Sequence, residues 1–263
     1  MKVLAIETAT AWQSVALLDD ERVVGREDYD AANAHGTKLL PTIERLLNGS
    51  GSSLASLDGL ICSCGPGSFT GLRVGISTVL GLRAATDLPL VLVPTLEAMA
   101  WTLKGAAETV CPVLPSRKGE VYWALFRWHG AQRLERVLPE RVGSPEMLAQ
   151  SVSGPTLMCG EGWMQCEAAV RATGQAFAAL RTAPSEASRP SAVSVGLAGL
   201  ERLRRGEIAG DQISPLYVQR TEAEIVYEQS GGLSPVARRQ ARVASKAASR
   251  AAQPRQGARK SHG

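Results

Sequence analysis

The sequence predicts an α/β fold in two tandem halves, and three observations predict it. A β meander opens the chain. A strand, a glycine loop, a helix and a second strand then follow one another, the order of a parallel crossover unit. The strand–turn–strand opening comes round again about a hundred residues further on, the mark of an internal repeat.

The meander runs through strands at Lys2–Glu7, Ser14–Leu18 and Val23–Tyr29, with a turn over Thr8–Gln13. A helix over Thr37–Leu47 follows, because Leu39, Leu40, Ile43, Leu46 and Leu47 fall at spacings that make one apolar face. Pro41 sits early in it, where a proline is tolerated near a first turn and can kink the helix. Asn48-Gly49-Ser50-Gly51 ends that helix with residues suited to a left-handed cap and a loop. Asp58–Cys64 is a buried strand feeding the loop Gly65-Pro66-Gly67-Ser68-Phe69-Thr70-Gly71, a helix spans Thr70–Thr86, and Leu90–Val93 is the strand after Pro89. Thr95–Leu103 is a short helix. The repeat supplies strands at Val110–Leu114 and Glu120–Trp128 around a turn at Pro115–Gly119. Thr156–Gly160 adds a strand, Met164–Ala172 and Ser191–Arg205 add helices, and Leu216–Gln219 a last short strand. Two αβ halves with matching openings are the pattern of tandem ribonuclease-H-like domains, here 1–108 and 109–228, followed by a basic tail, 229–263.

Composition narrows the function. Hydrophobic residues make up 44% and charged residues 21% of 263, ordinary for a globular protein. The apolar run Val3–Ile6 is stopped at once by Glu7, which does not read as a signal peptide, and nothing approaches the roughly 20 apolar residues of a membrane span. The five cysteines are then expected as reduced thiols in a cytoplasmic protein. The formal charge of +4 is unevenly spread: Arg238, Arg239, Arg242, Lys246, Arg250, Arg255, Arg259 and Lys260 follow Gln229 with no acidic residue. Removing those eight from 29 leaves 21 basic against 25 acidic residues, a net of −4 for the body. A tail of Arg, Ala, Ser, Gln and Gly cannot bury a core, so its composition predicts disorder. It is either a solvated extension or an arm attracting phosphate without regard to sequence.

The glycine loop is the strongest motif. Gly65, Gly67 and Gly71 allow close backbone approach, Pro66 stiffens the turn, and Ser68 or Thr70 can cap the helix, whose first amides form a potential anion site. The plainer reading is a tight strand-to-helix turn with no ligand. It is neither a Walker A loop, lacking Gly-Lys-Ser/Thr, nor G-x-G-x-x-G. Gly71 and Gly75 lie one turn apart, with Thr78 and Gly81 continuing a small-residue face that admits a neighbouring backbone, of the same chain or of another. The catalytic inventory is thin: His35, His129 and His262 are scattered, no H-E-x-x-H or G-x-S-x-G occurs, and the cysteines read as packing thiols. Actin-like ATPases hold phosphate in a hairpin opened by an aspartate, whereas Glu7 and Ala9 stand here. The longer carboxylate displaces a metal-bound water and the Cβ hinders amide contacts.

Several segments together resemble the TsaB (YeaZ) family over roughly residues 1–221. They are Val3–Thr10, His35 with Leu39-Leu40-Pro41, Gly65–Gly75, Arg117–Tyr122, Gly160-Glu161-Gly162-Trp163 and Pro215–Val218. The resemblance implies two lobes of the actin/sugar-kinase class and a role in making N6-threonylcarbamoyladenosine beside the tRNA anticodon. It implies a non-catalytic subunit that pairs through its N-terminal lobe with a TsaD-like transferase, the paralogue holding a metal through histidines, with a TsaE-like ATPase in the larger complex. The partner surface carried over by position is His35, Leu39, Leu40, Ile43, Phe69, Thr70, Gly71, Arg73, Val74, Gly75 and Thr78. Gly75→Leu is then expected to part the paired helices with the fold retained, and an exposed apolar helix pair would favour a homodimer when the partner is absent. No catalytic residue, metal or tightly bound cofactor is expected, which leaves the complex interface as the place for ATP or ADP. Glu7 for the family's aspartate, and Pro115-Ser116 for Asp-Ala, are departures in the same direction. The competing functions are an active ATP- or metal-dependent enzyme of this fold, and a tRNA-binding module acting through the tail.

Overall fold

The computed structural model of the chain describes residues 1–31, 35–117, 119–174 and 179–218, with His35 in its backbone alone. The first half lays down β1 (Lys2–Glu7), β2 (Trp12–Asp19) and β3 (Arg22–Asp30) as an antiparallel meander. Helix α1 (His35–Gly49) leads to β4 (Gly59–Ser63), and α2 (Phe69–Thr86) to β5 (Leu90–Val93), both strands parallel to β1. The spatial order is β3-β2-β1-β4-β5. A short helix, α3 (Thr95–Trp101), closes the half. Pro41 lies inside α1 without ending it.

The second half repeats the plan. Strands β6 (Thr109–Pro115), β7 (Val121–His129) and β8 (Arg133–Gly143) form the meander, and α4 (Pro145–Ser151), β9 (Thr156–Cys159), α5 (Glu161–Ala172) and β10 (Leu180–Thr182) the crossovers. The order β8-β7-β6-β9-β10 is the first sheet's order shifted by one half. Helix α6 (Ala192–Arg204) closes it.

The closing helices are exchanged. Helix α6, assigned by the sequence division to 109–228, packs on β1, β2 and β4 of the first sheet, while α3 packs on β6 and β7 of the second. Glycines make this possible: a Cβ at Gly199 would run into Ile61, and one at Gly196 into Leu18 and Ala5. Three cores result. One, between the sheets, gathers Val3, Ala5, Ile61, Leu96, Met99, Val110, Phe126, Val195 and Leu200 around α3 and α6. The second puts α1 and α2 on the far face of the first sheet, and the third α4 and α5 on the far face of the second. Each buried leucine or isoleucine contributes about 1.5–3 kcal/mol. Charges tie the exchanged helices together at the edge. Glu97 on α3 accepts two bonds from Arg202 on α6, at 3.0 and 2.8 Å, and one from Arg136 on β8 at 2.7 Å.

One expectation needs correction, and three elements went unforeseen. No strand occurs at Leu216–Val218; among the described residues the backbone there is tied by the Leu216 N–H donating to the Cys64 carbonyl, and Gln219 lies outside them. Strands β8 and β10 and helix α4 were not anticipated. The tail 229–263 also lies outside the described residues. Among the described residues no helix is long and apolar enough to cross a membrane.

Candidate functional site

The glycine loop joins β4 to α2 and lies directly against the β1–β2 turn. Gly65 has φ +113° and Gly67 φ +155°, backbone that L side chains rarely adopt. Gly67 is needed for contact as well as conformation, since a Cβ there would enter the carbonyl of Ala9. The Ser68 N–H donates to that same carbonyl at 2.7 Å, and the Ser68 hydroxyl accepts from Gly71 N–H at 3.2 Å, so Ser68 and not Thr70 caps α2. The second half makes the equivalent approach at Gly160 and Gly162, where a Cβ would strike Val113 and Leu114.

The small-residue face of α2 divides between inside and outside. Gly71 and Gly75 are buried, and a Cβ on either would overlap Thr8 of the same chain. Their smallness therefore serves the contact of α2 with the β1–β2 turn. This corrects the expectation that Gly75→Leu parts two subunits with the fold retained: the leucine would first displace Thr8. Leu39 and Ile43 are likewise core residues, 1% and 3% exposed beneath α1, with Ile43 reaching only the apolar groove described below. Facing outward are Leu40 on α1 and Phe69, Thr70 and Arg73 on α2, with Val74 and Thr78 half-buried. The His35 side chain lies outside the described residues. Gly65 and Pro66 are buried and Gly67 and Ser68 half-buried, so the loop is mostly internal.

Two further residues belong to this surface. Gly81 is exposed on α2, and a Cβ on it would meet nothing within 4 Å. A glycine inside a helix costs about 1 kcal/mol relative to alanine, and here no internal contact requires one. Tyr217 stacks on Phe69 with ring centroids 5.7 Å apart. The Arg73 guanidinium lies 3.9 Å over the Phe69 ring and its Nε donates to the Tyr217 hydroxyl at 3.3 Å. An exposed Phe–Arg–Tyr cluster is of the composition that dominates protein interfaces. A separate apolar groove of about 600 Å³ lies between α1 and the C-terminal part of α2, lined by Leu40, Pro41, Ile43, Leu47, Leu54 and Leu82. Another cavity, of about 510 Å³, opens by Trp12 and Trp101, but its arginines are paired, Arg26 with Asp28 and Arg189 with Glu161.

The β1–β2 turn does not fit a nucleotide phosphate. Thr8 and Ala9 are 0% and 2% exposed; the Ala9 N–H donates to the Glu7 carboxyl, and the Ala9 carbonyl is taken by Ser68. The amide that would hold phosphate already has its acceptor. Glu7 itself is fully buried, bonded also to the Ser63 hydroxyl, and its Oε2 has no partner. Burial in this dry setting pushes its pKa up to about 7, against the lowering effect of the Ala9 and Ser63 bonds. Among the described residues no group of three or more His, Cys, Asp or Glu side chains is arranged to hold a metal. The five thiols are buried and unpaired; burial pushes Cys64 and Cys159 up to about 12 and Cys166 to about 11, far from reactive thiolates.

Comparison with known proteins agrees with this geometry. The family model described as "TsaD: tRNA N6-adenosine threonylcarbamoyltransferase" matches residues 29–227. The chain is 38% identical to the tRNA threonylcarbamoyladenosine biosynthesis protein TsaB of Escherichia coli over 172 residues, covering 62% of this chain and 72% of that one. It is 30% identical to TsaB of Haemophilus influenzae over 83% of this chain and 94% of that one. The crystal structure of YeaZ from Pseudomonas aeruginosa superposes with a TM-score of 0.68 at 30% identity, covering 82% of this chain and 99% of that one. A second structure from that organism, described by its similarity to "peptidase YEAZ", gives 0.70 at 29% identity over 83% and 99%. The repeat of one sheet order in two halves, the self-filled turn and these likenesses agree: the chain belongs to the TsaB (YeaZ) family.

Proposed function

We propose that the chain is a partner subunit, with no group-transfer chemistry of its own, in formation of N6-threonylcarbamoyladenosine on tRNA. It docks a TsaD-like transferase through the outer faces of α1 and α2. The observation carrying this reading is the α2 surface, where Phe69, Arg73 and Gly81 face outward, with the Leu40 groove against the helix's C-terminal part. The biosynthetic role named for its relatives supports it, and the match to a model of the transferase family is consistent with it. The β1–β2 turn, filled by Glu7 and Ser68, argues against an ATP-dependent or metal-dependent enzyme acting alone. The complex interface is then the place left for ATP or ADP, with a TsaE-like ATPase joining the assembly in the cytoplasm. Size-exclusion chromatography with light scattering on the chain mixed with its TsaD-like partner tests the pairing. A heteromeric peak supports it, and elution of the two proteins in separate peaks rejects it.

The eight cations of 229–263, with no acidic residue among them, favour a second and compatible role in tRNA contact. Each phosphate contact adds about 0.9 to the slope of log affinity against log salt on a duplex. Deleting the segment is expected to flatten that slope for tRNA binding by the complex, and an unchanged slope excludes the role.

A further inference from the structure

Glu7 is buried at the carboxyl end of β1, and nothing in the docking role described above uses it. It has an unusual connection to the outer surface. Its carboxyl accepts from Ala9 N–H, the Ala9 carbonyl accepts from Ser68 N–H, and the Ser68 hydroxyl accepts from Gly71 N–H in the first turn of α2. Three hydrogen bonds thus run from a buried carboxyl to the helix that carries Phe69 and Arg73. The second carboxyl oxygen, Oε2, is fully enclosed and has no donor.

We propose that Glu7 in its neutral form is the positioning residue of the α2 docking surface, and that loss of its proton shifts the β1–β2 turn and weakens docking. This rests on the docking role proposed above. The physical reason is the unequal supply of donors. Oε1 has Ala9, and Ser63 serves the carboxyl as well, whereas a full charge on Oε2 would be solvated by nothing. Strands β1 and β2 are locked in register from Lys2–Asp19 to Glu7–Ser14, so the turn between them is the part that can move to supply a donor. Movement of the turn is passed to α2 because Gly67, Gly71 and Gly75 leave no slack against Ala9 and Thr8.

Among the described residues no neighbouring charge compensates. On β4 the titratable groups are Cys62, within electrostatic range of Glu7, and Cys64, both held neutral by burial. The buried residues of α2 and α6 include no charged side chain. On α3 the acid is Glu97, paired with Arg202 and Arg136, and Arg136 is paired with Glu140. The pKa of about 7 for Glu7 places the transition within the physiological range.

The test tracks the amide signals of Ala9, Ser68 and Gly71 by NMR in the full chain from pH 5.5 to 8.5, for the wild type and for Glu7→Gln. In parallel, calorimetry measures affinity for the TsaD-like partner at pH 6 and 8.5. The expected result is one shared midpoint near pH 7 for all three amides, absent in Glu7→Gln. The wild-type affinity should fall about fivefold or more with rising pH, the low end of ordinary coupling between sites, and Glu7→Gln should hold the pH 6 value throughout. Amides that do not titrate together, or that titrate equally in Glu7→Gln, overturn the coupling whether or not the partner assignment holds. Shared titration with an unchanged affinity overturns the positioning role. Should Glu7→Gln fold poorly, Glu7→Asp is expected to move the midpoint; an unmoved midpoint assigns the titration to another group.

Discussion

Replacing Glu7 by glutamine should make the protein more stable at pH 8 and leave it nearly unchanged at pH 4.5. The carboxyl has a pKa of about 7 when folded against 4.5 in the open chain, because it is fully buried with Oε2 unpartnered. Since the folded value is the higher one, the folded chain holds a proton that the unfolded chain has released. The resulting stabilisation is complete below pH 4.5, declines as pH rises, and is gone above about 7. The difference of 2.5 units corresponds to about 3 kcal/mol. Glutamine has the same shape, still accepts from Ala9 through its carbonyl, and does not titrate. Urea unfolding of both proteins at pH 5, 6, 7 and 8 should show curves that diverge by about 3 kcal/mol. By heat this is about 6–12 °C for a unit of this size. Parallel curves, or a Glu7→Gln protein less stable than wild type at pH 8, would refute the reasoning about a dry, underdonated carboxyl.

The remaining predictions concern packing and pairing. Gly75→Ala should destabilise by about 1–3 kcal/mol, because its Cβ overlaps Thr8, whereas Gly81→Ala should stabilise by up to about 1 kcal/mol. Denaturation midpoints moving the same way for both would contradict the assignment of inner and outer faces. Glu97→Ala should cost about 1.5–3 kcal/mol, the usual worth of bonds to a charged group, since it leaves Arg202 and Arg136 without their shared acceptor. A loss below about 0.5 kcal/mol would mean that solvent already screens the cluster.

How much the sequence disclosed depends on the range of the forces involved. The crossover around the glycine loop was legible because its signals are local: a buried strand, glycines, a capping serine and an apolar helix in one run. Strand β8 was not, because Arg136, Glu140 and Arg141 interrupt its apolar residues and Pro139 lies within it, the composition of a charged sheet edge. The exchange of α3 and α6 could not be read at all, since the choice of sheet depends on Gly196 and Gly199 meeting residues about 140 to 190 positions earlier. Of the candidate surface, Phe69 and Arg73 face outward, and so does Leu40, although its spacing groups it with the buried Leu39, Ile43, Leu46 and Leu47. Gly71 and Gly75 mislead because a small-residue stripe says that something approaches closely without saying what. The answer, Thr8, lies more than sixty residues away. Gly81 carried the better signal, a glycine inside a helix with no internal use. Tyr217 was hidden by a run that resembles a strand, although it completes the cluster on α2.

The central claim is that the outer face of α2 meets the TsaD-like partner, and association measured with the Gly81→Leu chain tests it most directly. Residue 81 is exposed and a Cβ there meets nothing within 4 Å, so the denaturation midpoint should be no lower than wild type. Light scattering and calorimetry with the TsaD-like protein should then show affinity reduced by at least about tenfold, or 1.4 kcal/mol. Wild-type affinity in a folded Gly81→Leu protein would contradict the account and move the partner to another face.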